Sequence, residues 1–148
     1  DSIGGSAGGD LLDFTNLGPP STVNGIKIDI SSTGTQTIST TGQLRLALSS
    51  ASTIERVNGS NDASYGNDTI TGNSLANILR GLQGNDTITG GSGADRLYGG
   101  LGNDQFEAAD SGTVDSLYGG GGTDTASLLA GDRDSGDVKP DNDILFWA

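Results

Sequence analysis

The chain has no cysteine, no histidine and no methionine in its 148 residues. No disulfide can form, and no zinc or copper site of the thiolate or imidazole kind can be built. A Ser-His-Asp or Cys-His catalytic unit is excluded outright, so the chain reads as a non-enzyme. Aromatic residues are 5% and hydrophobic residues only 32%, less than a fold resting on one large apolar core would use. Basic residues are also few, seven against nineteen acids for a net charge of −12, which argues against binding nucleic acid or an anionic membrane. No apolar run approaches the roughly 20 residues of a membrane span, and no signal-peptide pattern opens the sequence.

Glycine and aspartate are abundant. There are 26 glycines, and all but two of the nineteen acids, Glu55 and Glu107, are Asp. Asp suits tight turns and offers a hard oxygen ligand close to the backbone. Composition alone fits an acidic solvated surface as well as it fits metal binding. Order along the chain separates the two.

From Gly81 the sequence reads Gly-Leu-Gln-Gly-Asn-Asp-Thr-Ile-Thr, then Gly-Gly-Ser-Gly-Ala-Asp-Arg-Leu-Tyr from Gly90, then Gly-Gly-Leu-Gly-Asn-Asp-Gln-Phe-Glu from Gly99. Each nonapeptide is a loop with Gly at positions 1 and 4 and Asp at 6, followed by a short strand with an apolar middle residue. The block from Gly72 keeps the frame with Asn77 in the Asp position, and the block before it ends in Asp68-Thr69-Ile70-Thr71. Ile70, Leu79, Ile88, Leu97 and Phe106 therefore recur every nine residues. Two residues are inserted after Phe106, and the frame resumes with Asp115-Ser116-Leu117 and Asp124-Thr125-Ala126. Gly5 to Asp13 is a further nonapeptide, containing Asp10, and Asp1 to Gly4 matches the back half of another. A glycine-rich linker would not hold Asp and an aliphatic residue on fixed phases.

Residues 14–57 lose the glycine phase but still read as strand. Ile26, Ile28 and Ile30 alternate with Lys27 and Asp29, and Leu44, Leu46 and Leu48 with Arg45 and Ala47. No stretch has helical periodicity. The chain divides into a strand-rich segment with partial repeats that continues the solenoid (1–57), the repeat array (58–127) and a tail (128–148).

Calcium takes six to eight oxygens, more than one six-residue loop supplies. If two nonapeptides complete one turn of a flattened coil, loops on one edge recur every 18 residues. Asp68, Asp86 and Asp104 then line one edge, and Asn77 and Asp95 the other. The insertion lengthens the next step to 20 on both edges, from Asp95 to Asp115 and from Asp104 to Asp124, so the stack survives it. Burying one aliphatic side chain per nonapeptide returns less than ordering nine residues costs, and stacked carboxylates repel. A shared divalent ion offsets both, which predicts folding coupled to several calcium ions.

The nonapeptide resembles the Gly-Gly-X-Gly-X-Asp-X-U-X pattern of the repeats-in-toxin (RTX), or hemolysin-type, calcium-binding family. That resemblance implies an all-β, right-handed parallel β-roll with calcium along its edges. It places metal ligands at Asp10, Asp68, Asp86, Asp95, Asp104, Asp115 and Asp124, with Asn77 as a neutral substitute. Carbonyls of Gly81, Gly84, Gly90, Gly93, Gly99 and Gly102 would complete the shells. Asp10 has only Ile28 eighteen residues on, Asp115 follows a loop with Gly at its third position alone, and residues 59–68 carry about four extra residues.

The family also implies bacterial export through a type I secretion apparatus that reads a C-terminal signal. Asp143-Ile144-Leu145-Phe146-Trp147-Ala148 is similar to such a signal and equally suits a cap on the roll. Asp132 to Asp143 has the acidic alternation of an EF-hand loop without its Gly and Glu. Two functions follow. One is an extracellular or cell-surface structural module of a surface layer, adhesin, matrix or filament, able to associate head to tail. The other is the calcium-dependent folding and secretion domain of a larger exoenzyme or toxin.

Overall fold

In the computed structural model the described residues are 9–16, 25–38, 44–49, 53–61, 66–108, 113–128, 133–134 and 144–147. Residues 1–8, which hold the half-repeat Asp1 to Gly4 and the first four residues of the next nonapeptide, and most of the acidic stretch 132–143 lie outside them. All regular structure among the described residues is β. The strands are β1 (Asp10–Asp13), β2 (Lys27–Asp29), β3 (Gly34–Thr37), β4 (Arg45–Leu48), β5 (Ile54–Asn58), β6 (Thr69–Thr71) and β7 (Ile78–Gln83). They continue as β8 (Thr87–Thr89), β9 (Arg96–Leu101), β10 (Gln105–Glu107), β11 (Ser116–Gly121), β12 (Thr125–Leu128), β13 (Arg133–Asp134) and β14 (Ile144–Trp147).

Successive nonapeptide strands go to opposite walls of a parallel β-solenoid. One six-stranded sheet runs β1-β5-β7-β9-β11-β13 and the other β14-β12-β10-β8-β6-β2. All pairings inside these two sheets are parallel. The apolar eighth residue of each repeat points between the walls because side chains alternate across a strand. Leu79, Leu97 and Leu117 stack in register on one wall. Ile70, Ile88, Phe106 and Ala126 stack on the other. None of these seven is more than 3% exposed.

The strands outside the repeat frame use the same two columns. Leu12 pairs with Val57, and Val57 with Leu79. Ile28 pairs with Ile70. The alternation at 26–30 thus marks a real wall strand, with Lys27 exposed and Ile28 buried. The alternation at 44–48 belongs to a different arrangement. β3 and β4 form an antiparallel hairpin outside both walls, and Leu44 and Leu46 pack against the core only in part. β14 is the terminal strand of its sheet, with Ile144 opposite Thr125 and Trp147 opposite Leu128.

One backbone position departs from the glycine rule. Leu82, at position 2 of its loop, has φ 84°, where the other described residues with positive φ are all glycine. An L-residue there carries roughly 1–2 kcal/mol of strain. Leu82→Gly is expected to be neutral or stabilising by about 1 kcal/mol, whereas Leu82→Val, β-branched, should cost about 1–2 kcal/mol. Chemical denaturation of the calcium-loaded variants checks the order. A Gly variant less stable than the Val variant would contradict it.

Candidate metal centre

The loops between strands lie along two edges, and position 6 of each faces inward. Asp68, Asp86, Asp104 and Asp124 stand on one edge, and Asn77, Asp95 and Asp115 on the other; all are 3% exposed or less. A ladder of hydrogen bonds holds each column. The amide of Asp68 donates to Oδ1 of Asp86 (2.7 Å), that of Asp86 to Asp104 (2.8 Å), and that of Asp104 to Asp124 (2.8 Å). On the opposite edge Asn77 N donates to Asp95 Oδ1 and Asp95 N to Asp115 Oδ1, both at 2.8 Å. The sequence separations are 18, then 20 after the insertion. Both edges step together, as the spacing requires.

Glycine at position 1 makes room for these carboxylates. A methyl group on Gly81 would collide with Oδ2 of Asp86, on Gly99 with Oδ2 of Asp104, and on Gly119 with Oδ2 of Asp124. Gly90 stands in the same relation to Asp95. Position 4 needs glycine for another reason. Gly84, Gly93 and Gly102 have φ of 116°, 117° and 134°, and each presses on the backbone of the loop one turn earlier. The six loop glycines expected from the sequence therefore all sit in the turns that carry the Asp columns.

Burial dominates the electrostatics. It pushes the Asp86 carboxyl up to about 8, with the neighbouring charges of Asp68 and Asp104 adding to it and the hydrogen bond from Asp68 N opposing it. Asp104 rises to about 6 through burial, with the Asp124 charge adding. Asp68 also rises to about 6 through burial, against hydrogen bonds from Ile26 and Ser60. A carboxylate row like this, with no positive charge, is electrostatically incomplete.

Hydrogen bonding shows where it is incomplete. Oδ2 of Asp86 and Oδ2 of Asp104 are buried and accept no hydrogen bond. No group of three or more acidic side chains converges on one point among the described residues. The column instead spaces single carboxylates among backbone carbonyls. Such a set, carboxylate plus carbonyl oxygen with no sulfur or nitrogen, suits a hard divalent ion of calcium's kind. The residues present fit calcium: Asp86, Asp104 and their glycine loops would hold it, and the ion would supply the positive charge the column lacks.

Asp10, another residue the sequence singles out, heads β1 in the sheet whose later strands follow Asn77, Asp95 and Asp115, and its Oδ2 is buried without a donor. Its amide donates to Oε2 of Glu55 (2.6 Å), because β1 stacks on β5 rather than on a strand 18 residues away. Glu55 is thus a partner that the repeat frame did not indicate. Ser60 and Asn73 were also missed, since neither is a repeat glycine; they contact Asp68 and Asn77 (below). An 18-residue signal was available for a third group. Position 5 is Asn67, Asn85 and Asn103 on one edge and Ala76 and Ala94 on the other. Asn85 N donates to Asn67 Oδ1 (2.8 Å), Asn103 N to Asn85 Oδ1 and Thr123 N to Asn103 Oδ1 (both 2.7 Å). This outer ladder runs in the opposite sense to the Asp ladder beside it.

The chain matches the family model described as the RTX calcium-binding nonapeptide repeat, in four copies, over residues 62–74, 71–106 and 112–133. No curated protein sequence matches it.

Proposed function

Because the array belongs to the RTX calcium-binding repeat family, we propose that this chain is a non-catalytic, extracellular structural module that folds when it binds calcium. The observation that carries the reading is the pair of buried, donor-less oxygens on Asp86 and Asp104. Without a cation, every turn added to the column buries another charge beside the last. With one, the same stacking clamps adjacent turns. Calcium scarce inside a cell and plentiful outside would restrict the folded state to the exterior.

Among the described residues the strands that end the two sheets, β1, β13, β14 and β2, each pair on one side, and stacking such a strand on a copy of the chain, head to tail, suits a surface layer or filament. The described residues contain no helix long and apolar enough to cross a membrane.

Far-ultraviolet circular dichroism tests the coupling. The β signal is expected to rise on adding calcium to chelated protein and to fall on removing it, and an unchanged spectrum would sink the proposal. Electron microscopy of the calcium-loaded sample should show rods; monodisperse particles at high concentration would count against self-assembly.

A further inference from the structure

The loops fall into two conformations, and the division follows position 2. In the loops that begin at Gly81, Gly90, Gly99 and Gly119, position 2 is Leu82, Gly91, Gly100 or Gly120, with φ of 84°, 94°, 121° and 101°. In the loops that begin at Gly59 and Gly72, position 2 is Ser60 or Asn73, and neither has positive φ. There the position-2 amide turns onto the position-6 side chain of its own loop. Ser60 N donates to Asp68 Oδ2 (2.6 Å) and Ser60 Oγ to Asp68 Oδ1 (3.0 Å). Ile26 N donates to Asp68 Oδ1 as well (2.7 Å). Asn73 N donates to Asn77 Oδ1 (2.8 Å), while Asn77 Nδ2 reaches Asn73 Oδ1 (3.2 Å) and Ile54 O (3.4 Å). Asn73 Nδ2 donates to Ile54 O too (2.8 Å).

We infer that both calcium ladders stop at this level: the Asp68 and Asn77 turns are closed by protein hydrogen bonds in place of a cation, and the strands packed against them, β2 and β5, form without metal and template the rest. Three donors occupy Asp68, which leaves Oδ2 satisfied where the equivalent atoms of Asp86 and Asp104 have no donor. At Asn77 a side-chain N–H group, itself a donor, points at the carbonyl oxygen of Ile54, which also accepts from Asn73 Nδ2. A neutral side chain also interrupts the charge column on that edge.

The apolar packing divides at the same place. Among the described residues, nine of the seventeen buried apolar ones precede residue 58, Ile28, Ile30 and Val57 among them, and the repeats contribute one per nonapeptide. The antiparallel hairpin of β3 and β4 adds pairing that no repeat has. The N-terminal turns can therefore meet the entropy of ordering from burial, while the later turns cannot. In a stack whose turns contact only their neighbours, a preformed end lowers the nucleation barrier for adding the next turn.

The inference rests on the calcium reading, and hydrogen exchange of the full chain separates the two. In excess chelator, amides of residues 26–30 and 54–58 should keep their protection while those of 87–89, 96–101 and 105–107 lose it and recover it with calcium. Loss of protection at 26–30 together with the repeats would overturn the inference and leave the calcium reading standing. Protection unchanged throughout would overturn the calcium reading and the inference with it. Counting bound ions by equilibrium dialysis gives a second readout. Asp86→Asn should bind fewer ions than the parent, whereas Asp68→Asn and the milder Ser60→Ala should bind the same number. An ion lost in both Asp68→Asn and Ser60→Ala would place calcium at the Asp68 turn after all.

Discussion

In metal-free buffer the repeat region is expected to regain β structure as the pH is lowered from above 8 to below 6. The sign follows from the columns. Burial raises Asp86 to about 8, and Asp68 and Asp104 to about 6, against an ordinary value of 3.8. The folded chain thus holds more protons than the unfolded chain between the ordinary and the raised values, and acid favours folding. The stabilisation from protonation is fully present below the ordinary value. It is lost as pH rises, first through about 6 at Asp68 and Asp104 and then through about 8 at Asp86. Protons and calcium do the same work here, since each removes the repulsion between stacked carboxylates. With calcium present the trend should reverse, because the ion needs the deprotonated form. Circular dichroism across this range, with and without calcium, reads both slopes. A metal-free β signal that weakens on acidification would contradict the electrostatic account.

Gly102→Ala is expected to abolish the calcium-loaded roll around its turn, while Gly121→Ala changes little. Gly102 has φ 134°, a region open essentially to glycine alone, and a methyl group there would overlap the carbonyl oxygen of Gly84 one turn earlier. Backbone strain and overpacking against main chain together cost about 3 kcal/mol or more, a large share of the stability of a small domain. Gly121 has no positive φ, and its nearest neighbour would be the end of the Leu101 side chain at 3.2 Å, which can move aside. Thermal denaturation in saturating calcium should separate the variants by many degrees, and similar melting temperatures would show that the turns are not packed this closely. The run Gly119 to Gly122 is four identical letters in sequence, so only geometry distinguishes the three that must stay from Gly121, which need not.

Much of the molecule was legible from periodicity. A nine-residue period with an aliphatic residue at position 8 means one strand per repeat and an inward side chain per strand, and the alternate repeats reach opposite walls because a chain cannot stack on itself without turning back. The lengthening from 18 to 20 on both edges could be read from Asp95 to Asp115 and Asp104 to Asp124 before any coordinates. Outside the frame the same reasoning weakened. Residues 26–30 and 44–48 show the same alternation, yet one is a wall strand and the other half of a hairpin. Alternation reports that one face of a strand is covered. It does not report by what.

The sequence alone determined the coil, its two acidic edges and the chemistry of an oxygen-loving ion, since these follow from local spacing and residue type. Only the tertiary structure decided that β1 docks on β5 beside Glu55, and that Asp68 is satisfied by Ser60 and Ile26 while Asp86 is not. Those contacts join residues 8 to 45 positions apart with no repeat to link them. Whether a buried carboxylate needs a cation depends on which amide groups reach it, and that is fixed when distant segments pack together.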